Sequence, residues 1–133
     1  IDELDQKERQ VFNYGHSFGH AIESLTDYEV PHGIAVSFGM DIANFISVKM
    51  KLLDPGVRMK IRELLQEIWQ GYDIKKLDVE KFRDALAKDK KNVGKEELRL
   101  ILCKGYGKVF KTAQKLDDEF TGWLIDYFKH ELN

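Results

Sequence analysis

Apolar residues recur at helical spacing through the first part of the chain, and this periodicity constrains the fold more than any other feature. Over residues 7–26 the apolar side chains are about 3.6 residues apart, which predicts an amphipathic helix. A second run over residues 33–53 is so dense in apolar groups that we expect a nearly central helix. A chain of this pattern must bury helices against helices.

Turn and capping residues divide the rest of the helical region. Asp54 followed by Pro55 predicts an N-cap with proline at the first helical position, and hence a third helix over residues 55–69 that Gly71 ends. Asp78 predicts the cap of a fourth helix over residues 79–87. One face of the third helix is expected to carry its apolar side chains, which are Val57, Ile61, Leu64, Leu65 and Ile68.

The last third of the chain changes character. Two short strands are predicted over residues 97–103 and 108–112, around Gly105-Tyr106-Gly107. A closing amphipathic helix is predicted over residues 116–132, with inward-facing Phe120, Trp123, Leu124, Tyr127 and Phe128. We therefore expect one mainly α domain over residues 1–133, with at most one small β-hairpin.

Composition excludes several classes of protein. A hydrophobic content of 43% excludes a disordered tail, and a net charge of −2 argues against broad electrostatic binding of nucleic acid. The apolar runs are too short to predict a membrane span. Cys103 is the single cysteine, so no internal disulfide forms, which fits a reducing, cytoplasmic compartment. Because the chain begins at Ile1 within a charged stretch, we expect it to be cut from a longer protein.

Three of the four histidines fall within seventeen residues. His16 and His20 are one turn apart on one face of the first predicted helix, about 6 Å along its axis. His32 follows a loop and a stiffening Pro31. This spacing suits two imidazoles on one metal ion, or one on a metal and one on a substrate, although His-x-x-x-His also occurs by chance on helices. Gly15 and Gly19 would allow a close approach to the helix backbone.

Polar residues extend the histidine face towards the N-terminus. Arg9 and Asn13 continue the stripe, and such groups hold phosphate or hydroxyl oxygens. The lysines around Lys90 fit either an anion site or a solvated loop. Glu23 could be a metal ligand or could orient an imidazole, and we favour a structural or orienting role. We expect His130 to be exposed.

Several motifs together resemble the 3-dehydroquinate synthase family. They are NYGHSFGHAIE over residues 13–23, His32-Gly33, Gly39-Met40 and the Asp-Lys-Lys-Asn loop over residues 89–92. The resemblance covers nearly the whole chain. It implies the C-terminal helical metal-binding domain of a two-domain enzyme, and an N-terminal nucleotide-binding domain of the same protein as a partner.

The resemblance also implies residue roles. His16 and His32 would be two of three protein ligands of a divalent metal, zinc or cobalt, with a glutamate upstream of Ile1 as the third. His20 would contact the substrate and assist proton transfer, and Lys90 would act beside it. The substrate's carboxylate, hydroxyls and phosphate would contact Arg9, Asn13 and Lys90. Asp5 falls where the family often has a glutamate facing the site, and the match there is less specific.

The implied reaction is cyclisation of a seven-carbon sugar phosphate. NAD, bound mainly by the N-terminal domain, would transiently oxidise a secondary alcohol of the substrate to a ketone. Phosphate would leave by β-elimination, the hydride would return, and the ring would open and reclose by an aldol step. A homodimer is expected for the whole enzyme, with no nucleic acid or membrane partner.

One position departs from the family pattern. Ile34 stands where the family usually has glutamate after His-Gly. The substrate could therefore be that of a related sugar-phosphate cyclase of the deoxy-inosose or valiolone type. An iron-containing alcohol or glycerol dehydrogenase is a more distant alternative, and a non-catalytic helical interaction module another. The Arg9–Asn13 stripe argues against both, because neither needs a phosphate clamp.

Overall fold

A computed structural model describes residues 16–87, 97–105, 108–115 and 118–132. In these ranges the chain forms helices and one two-stranded sheet, which confirms the mainly α class with one hairpin. The elements in chain order are α1 (His16–Leu25), α2 (His32–Lys49), α3 (Pro55–Trp69), α4 (Val79–Ala87), β1 (Glu97–Gly105), β2 (Lys108–Lys115), α5 (Asp118–Asp126) and a π-helix (Tyr127–Glu131).

Helix α2 is the central element. It packs against α1, α3 and β1, and an unbroken run of buried residues extends through its second half. The helix ends at Lys49, earlier than predicted, because Lys51 adopts a left-handed backbone with φ 62°. Stacked and edge-to-face aromatic pairs complete the core, among them Phe38 on Trp69 at 4.3 Å between ring centroids.

Local capping begins α3 and α4, and a glycine follows the end of α3, as the sequence predicts. The Asp54 carboxylate accepts a hydrogen bond from the Gly56 backbone N–H at 2.9 Å, with Pro55 at the first position of α3. Asp78 accepts from the Glu80 N–H at 2.9 Å and so begins α4. Gly71 follows the end of α3 with φ 87°, a conformation that glycine adopts without strain.

The buried face of α3 differs from the prediction. Leu64 and Ile68, predicted to lie on the inward face, are 68% and 51% exposed. Leu65 is buried as predicted, and Val57 and Ile61 are half-buried against the core. The further buried side chains of the helix are Arg58, Arg62 and Trp69. The prediction was wrong for Leu64 and Ile68 because it assumed that arginine stays outside, whereas both arginines find carboxylate partners in the core.

A buried ionic network joins α2, α3 and the π-helix. Asp41, fully buried on α2, accepts from Nε and Nη2 of Arg58 at 3.1 and 2.9 Å, and from the Tyr127 hydroxyl at 2.8 Å. Glu131 accepts from Arg58 at 2.7 Å and from Arg62 at 3.3 Å. Arg62 also donates to the main-chain carbonyl of Glu131. The network fixes the C-terminal turn against the helices that surround it.

Charge and burial also change the ionisation of this network. Burial alone would lower the pKa of Arg58, but the paired carboxylates of Asp41 and Glu131 outweigh it and raise that pKa. Burial, reinforced by the neighbouring Asp41, raises the pKa of Tyr127 well above its ordinary value. The tyrosine therefore remains a hydrogen-bond donor, and the arginine remains a cation.

The C-terminal part contains the predicted elements, with strands longer than predicted and a closing helical segment from Asp118 to Glu131. Strands β1 and β2 pair antiparallel, with Leu100 opposite Thr112 and an irregularity between Cys103 and Gly105. The predicted closing helix is α5 continued by the π-helix, and its predicted inward residues are buried except Trp123, which is half-buried. His130 is exposed, as expected.

None of the helices in the described ranges combines the length and apolar character needed to cross a membrane.

Candidate functional site

Two imidazoles from different helices meet at one end of the α1–α2 pair. His20 lies on α1, and His32 is the first residue of α2, directly after the extended Pro31. The centroids of the two rings are 6.1 Å apart, although twelve residues separate them in the chain. Both side chains reach solvent, His32 with 56% of its side chain exposed. The loop therefore brings His32 back beside His20, as predicted.

Gly19 lets the two helices approach closely beside these imidazoles. A Cβ atom at this position would lie 3.1 Å from the Val36 Cα and 3.2 Å from its N and Cγ2 atoms. Two of these atoms are backbone, which cannot move aside as the end of a flexible side chain could. Gly19 therefore sets the distance between α1 and α2 next to His20, as the glycine spacing predicts.

Glu23 orients the imidazole of His32. Its carboxylate lies one turn after His20 on α1, and Oε1 is 2.8 Å from Nδ1 of His32. Only 12% of the Glu23 side chain is exposed, so the bond forms at the edge of the core. A carboxylate on one ring nitrogen holds the ring and makes the other nitrogen the better metal ligand. The observed contact is the orienting role expected for Glu23.

The described residues can provide a cation site. One ligand atom from each of His20, Glu23 and His32 lies within 4.8 Å of the others. Two imidazole nitrogens and one carboxylate oxygen form a donor set that zinc and cobalt accept. Because Nδ1 of His32 is bonded to Glu23, a metal would bind this ring through Nε2. This set shares His32 with the predicted ligands but has His20 and Glu23 in place of His16 and the upstream glutamate, so it shows only that donors of the right chemistry lie at this place.

The imidazoles open into a cleft between α1 and α4. The cleft has a volume of about 690 Å³, within the usual range for small-molecule sites. Its α1 wall includes Ser17, His20 and Ser24, and its α4 wall includes Lys81 and Asp84. We call this space the α1–α4 cleft. It is large enough for a phosphorylated sugar.

The loop between α1 and α2 shapes one end of this cleft. Asp27 and Tyr28 are consecutive non-glycine residues in the left-handed region, with φ of 53° and 62°. The backbone N–H of Tyr28 donates to the carbonyl of Glu23 at 2.8 Å, which holds the turn. The Tyr28 side chain lines the cleft and is 70% exposed. Such backbone conformations are uncommon and often occur at functional sites.

Several predicted site residues lie outside what the structure describes. Asp5, Arg9, Asn13 and Lys90 fall outside the described residues. His16 is described only as the first residue of α1. Their roles therefore remain predictions. Sequence reasoning did not anticipate the α4 wall of the cleft, whose only sequence sign was the Asp78 cap that begins the helix.

Solved structures share this fold. A 2-deoxy-scyllo-inosose synthase, complexed with carbaglucose-6-phosphate, NAD+ and Co2+, aligns with a TM-score of 0.74 and 25% identity, over 97% of this chain and 37% of that one. Another structure of 2-deoxy-scyllo-inosose synthase aligns with a TM-score of 0.70 and 26% identity, over 87% of this chain and 32% of that one. The fold is that of a domain of these sugar-phosphate cyclases.

Sequence comparison identifies the family. Residues 1–92 match the family described as 3-dehydroquinate synthase C-terminal, and the chain belongs to it. The 3-dehydroquinate synthase of Helicobacter pylori (strain P12) is 39% identical over 119 residues, covering 89% of this chain and 34% of that relative. That of Clostridium perfringens is 38% identical over 115 residues, covering 84% and 33%. The chain spans about a third of the length of these relatives.

Proposed function

We propose that this chain is the metal- and substrate-binding part of a 3-dehydroquinate synthase-like enzyme, which converts a seven-carbon sugar phosphate into a carbocycle with release of phosphate. The supporting observation is the Glu23-oriented imidazole of His32 beside His20 at the α1–α4 cleft. Family membership supports the same conclusion. The substrate and the whole reaction belong to this proposal.

The proposed roles divide the two described imidazoles. His32, held by Glu23, binds the metal together with His16, as the resemblance implies. His20 contacts the substrate and moves a proton, because imidazole can accept and release protons near neutral pH. A bound zinc or cobalt ion would polarise the reacting oxygen as a Lewis acid. NAD is assigned mainly to a nucleotide-binding domain elsewhere in the protein.

Positioning is the main contribution of the remaining residues. Arg9, Asn13 and Lys90 are proposed to hold the substrate's anionic groups and hydroxyls, with Lys90 near the reacting centre. Asp5 is a weaker candidate for the same site. Fixed charges that bind the sugar phosphate in a reactive geometry account for much of the rate in such reactions. A homodimer of the whole enzyme is also proposed.

A second candidate is a cyclase of the deoxy-inosose type. The observation that favours it is Ile34, which packs against the core where the resemblance expects a glutamate and so offers no carboxylate beside His32. The aligned 2-deoxy-scyllo-inosose synthase structures support this alternative. Both candidates release phosphate from a sugar phosphate, and they differ in the ring that forms.

Product analysis of the whole protein tests the proposal. With NAD and either Zn2+ or Co2+, we expect stoichiometric release of inorganic phosphate from the seven-carbon substrate, without net accumulation of NADH. The carbocycle is identified by mass spectrometry and NMR. Phosphate release only from glucose 6-phosphate would establish the second candidate, whereas net NADH without phosphate would contradict both.

Metal analysis tests the ligand assignment separately. His16→Ala and His32→Ala are each expected to lower bound zinc or cobalt by more than tenfold, measured by mass spectrometry after dialysis. His20→Ala should retain the metal and lose turnover. His130→Ala is the matched control, since this imidazole is exposed on the π-helix. Full metal retention in His32→Ala would refute the assignment.

A further inference from the structure

Two charged side chains of α4 stand across the cleft from the imidazoles. Lys81 and Asp84 are less than one helical turn apart, both are exposed, and both line the same cavity as His20. Among the described residues, neither takes part in an ion pair within 4.0 Å. A cation and a carboxylate so placed can bind a ligand without first breaking a salt bridge.

The opposite wall offers matching groups. Ser17 and Ser24 lie on α1 and contribute hydroxyls, and Tyr28 contributes an aromatic ring at one end. Hydroxyls, a carboxylate acceptor and an ammonium donor are the groups that pair with a chain of alcohols, since each alcohol donates once and accepts through oxygen. A ring beside them covers the C–H groups of a sugar. The walls together suit a polyhydroxylated ligand.

We propose that the α1–α4 cleft recognises the hydroxyl groups of the substrate through hydrogen bonds. Asp84 accepts hydrogen bonds from alcohols on the carbon chain, and Lys81 donates hydrogen bonds to them. The inference rests on the proposed function, because it takes the substrate to be a sugar phosphate. It adds two specificity-determining residues on α4 to the proposed substrate-binding residue His20 on α1. The α4 wall thereby selects among sugar phosphates of different hydroxyl pattern.

A pair of ligands isolates hydroxyl reading from phosphate binding. A carbocyclic hexose phosphate carries the phosphate and the alcohols, whereas glycerol 3-phosphate retains the phosphate with few alcohols. The ratio of their dissociation constants, measured by calorimetry on the whole protein with metal and NAD, reports recognition of the hydroxyls. We expect Asp84→Asn and Lys81→Met each to reduce this ratio about tenfold, as loss of a hydrogen bond to a charged group does. Affinity for glycerol 3-phosphate should stay within twofold.

Matched controls lie on the same part of the chain. Glu80→Gln changes a carboxylate one turn before Asp84, and Lys76→Met changes a nearby lysine; both residues are exposed and outside the cleft. Neither should alter the ratio. If Asp84→Asn and Lys81→Met behave like these controls, the inference is overturned. The inference is also overturned if the unsubstituted protein binds the carbocyclic hexose phosphate no more tightly than glycerol 3-phosphate.

Turnover separates this inference from the proposed function. Phosphate release by the unsubstituted protein, with an unchanged ratio in both α4 variants, would overturn the cleft inference and leave the proposed function standing. A reduced ratio in the α4 variants without any phosphate release would support the cleft as a polyol site and overturn the cyclase proposal. For an active enzyme, the α4 variants should raise KM with kcat within about twofold, the pattern of lost ground-state binding.

Discussion

Removing the charge of Asp41 should strongly destabilise the protein. This carboxylate is fully buried and accepts hydrogen bonds at 2.8, 2.9 and 3.1 Å from Tyr127 and Arg58. Asp41→Asn conserves the volume but leaves the Arg58 guanidinium, 6% exposed, with the more exposed Glu131 as its remaining carboxylate partner among the described residues. Breaking one side of a buried ion pair costs about 3–5 kcal/mol. That is a large share of the roughly 5–15 kcal/mol by which domains are stable.

Urea denaturation measures this effect. With a typical slope of about 2 kcal/mol per molar urea, a loss of about 4 kcal/mol lowers the midpoint by about 2 M. Asp126→Asn is the matched control, because its 3.6 Å pair with Lys49 is exposed and such pairs contribute no more than about 1 kcal/mol. A midpoint for Asp41→Asn equal to that of the control, at unchanged slope, would refute the reasoning.

A double-mutant cycle identifies the origin of the loss. Arg58→Met alone should also destabilise, because it leaves the Asp41 carboxylate buried without its principal cation. The double variant Asp41→Asn, Arg58→Met should lose at least about 1 kcal/mol less than the sum of the single variants, since neither isolated charge remains. Strict additivity would show that the two side chains contribute independently.

Three further perturbations test the site and the core. Glu23→Gln should weaken zinc or cobalt binding about 10- to 100-fold in a chelator competition, because the carboxylate orients His32; an unchanged affinity would contradict that role. Gly19→Ala should destabilise the protein by up to about 2 kcal/mol, because crowding against Val36 exceeds the gain of about 1 kcal/mol in helix propensity. Gly122→Ala is the control and should stabilise the protein, because a Cβ there meets no atom within 4 Å. Equal changes in melting temperature for the two variants would exclude crowding at Gly19. Because burial raises the pKa of Tyr127, unfolding above about pH 10 releases the tyrosine proton. The free energy of unfolding should therefore fall there with rising pH, by up to about 1.4 kcal/mol per pH unit more than in Tyr127→Phe. An identical pH dependence of stability in both proteins would disprove this linkage.

Local chemistry explains why the helices could be predicted. Asp54, Pro55 and Asp78 act on backbone groups within three residues, so their effect is visible in the sequence. The meeting of His20 and His32 was predictable for a similar reason, because helical spacing and a short loop bring them together. The orienting bond of Glu23 spans only nine residues.

Burial of charge could not be predicted from periodicity. The inward face of α3 depends on partners of Arg58 that lie 17 and 73 residues away in the chain, at Asp41 and Glu131. Without those partners an arginine belongs outside, so a count of apolar residues assigns the face to Leu64 and its neighbours. The α4 wall of the cleft depends in the same way on tertiary packing between helices that are distant in sequence.

The two-helix origin of the imidazoles has a thermodynamic consequence. The proposed ligands His16 and His32 are the first residues of α1 and α2, so an ion held between them would act as a crosslink that the unfolded chain lacks. By mass action, such an ion at one hundred times its dissociation constant would add about 2.7 kcal/mol to the free energy of unfolding. The melting temperature of this protein would then report the free concentration of zinc or cobalt in the buffer.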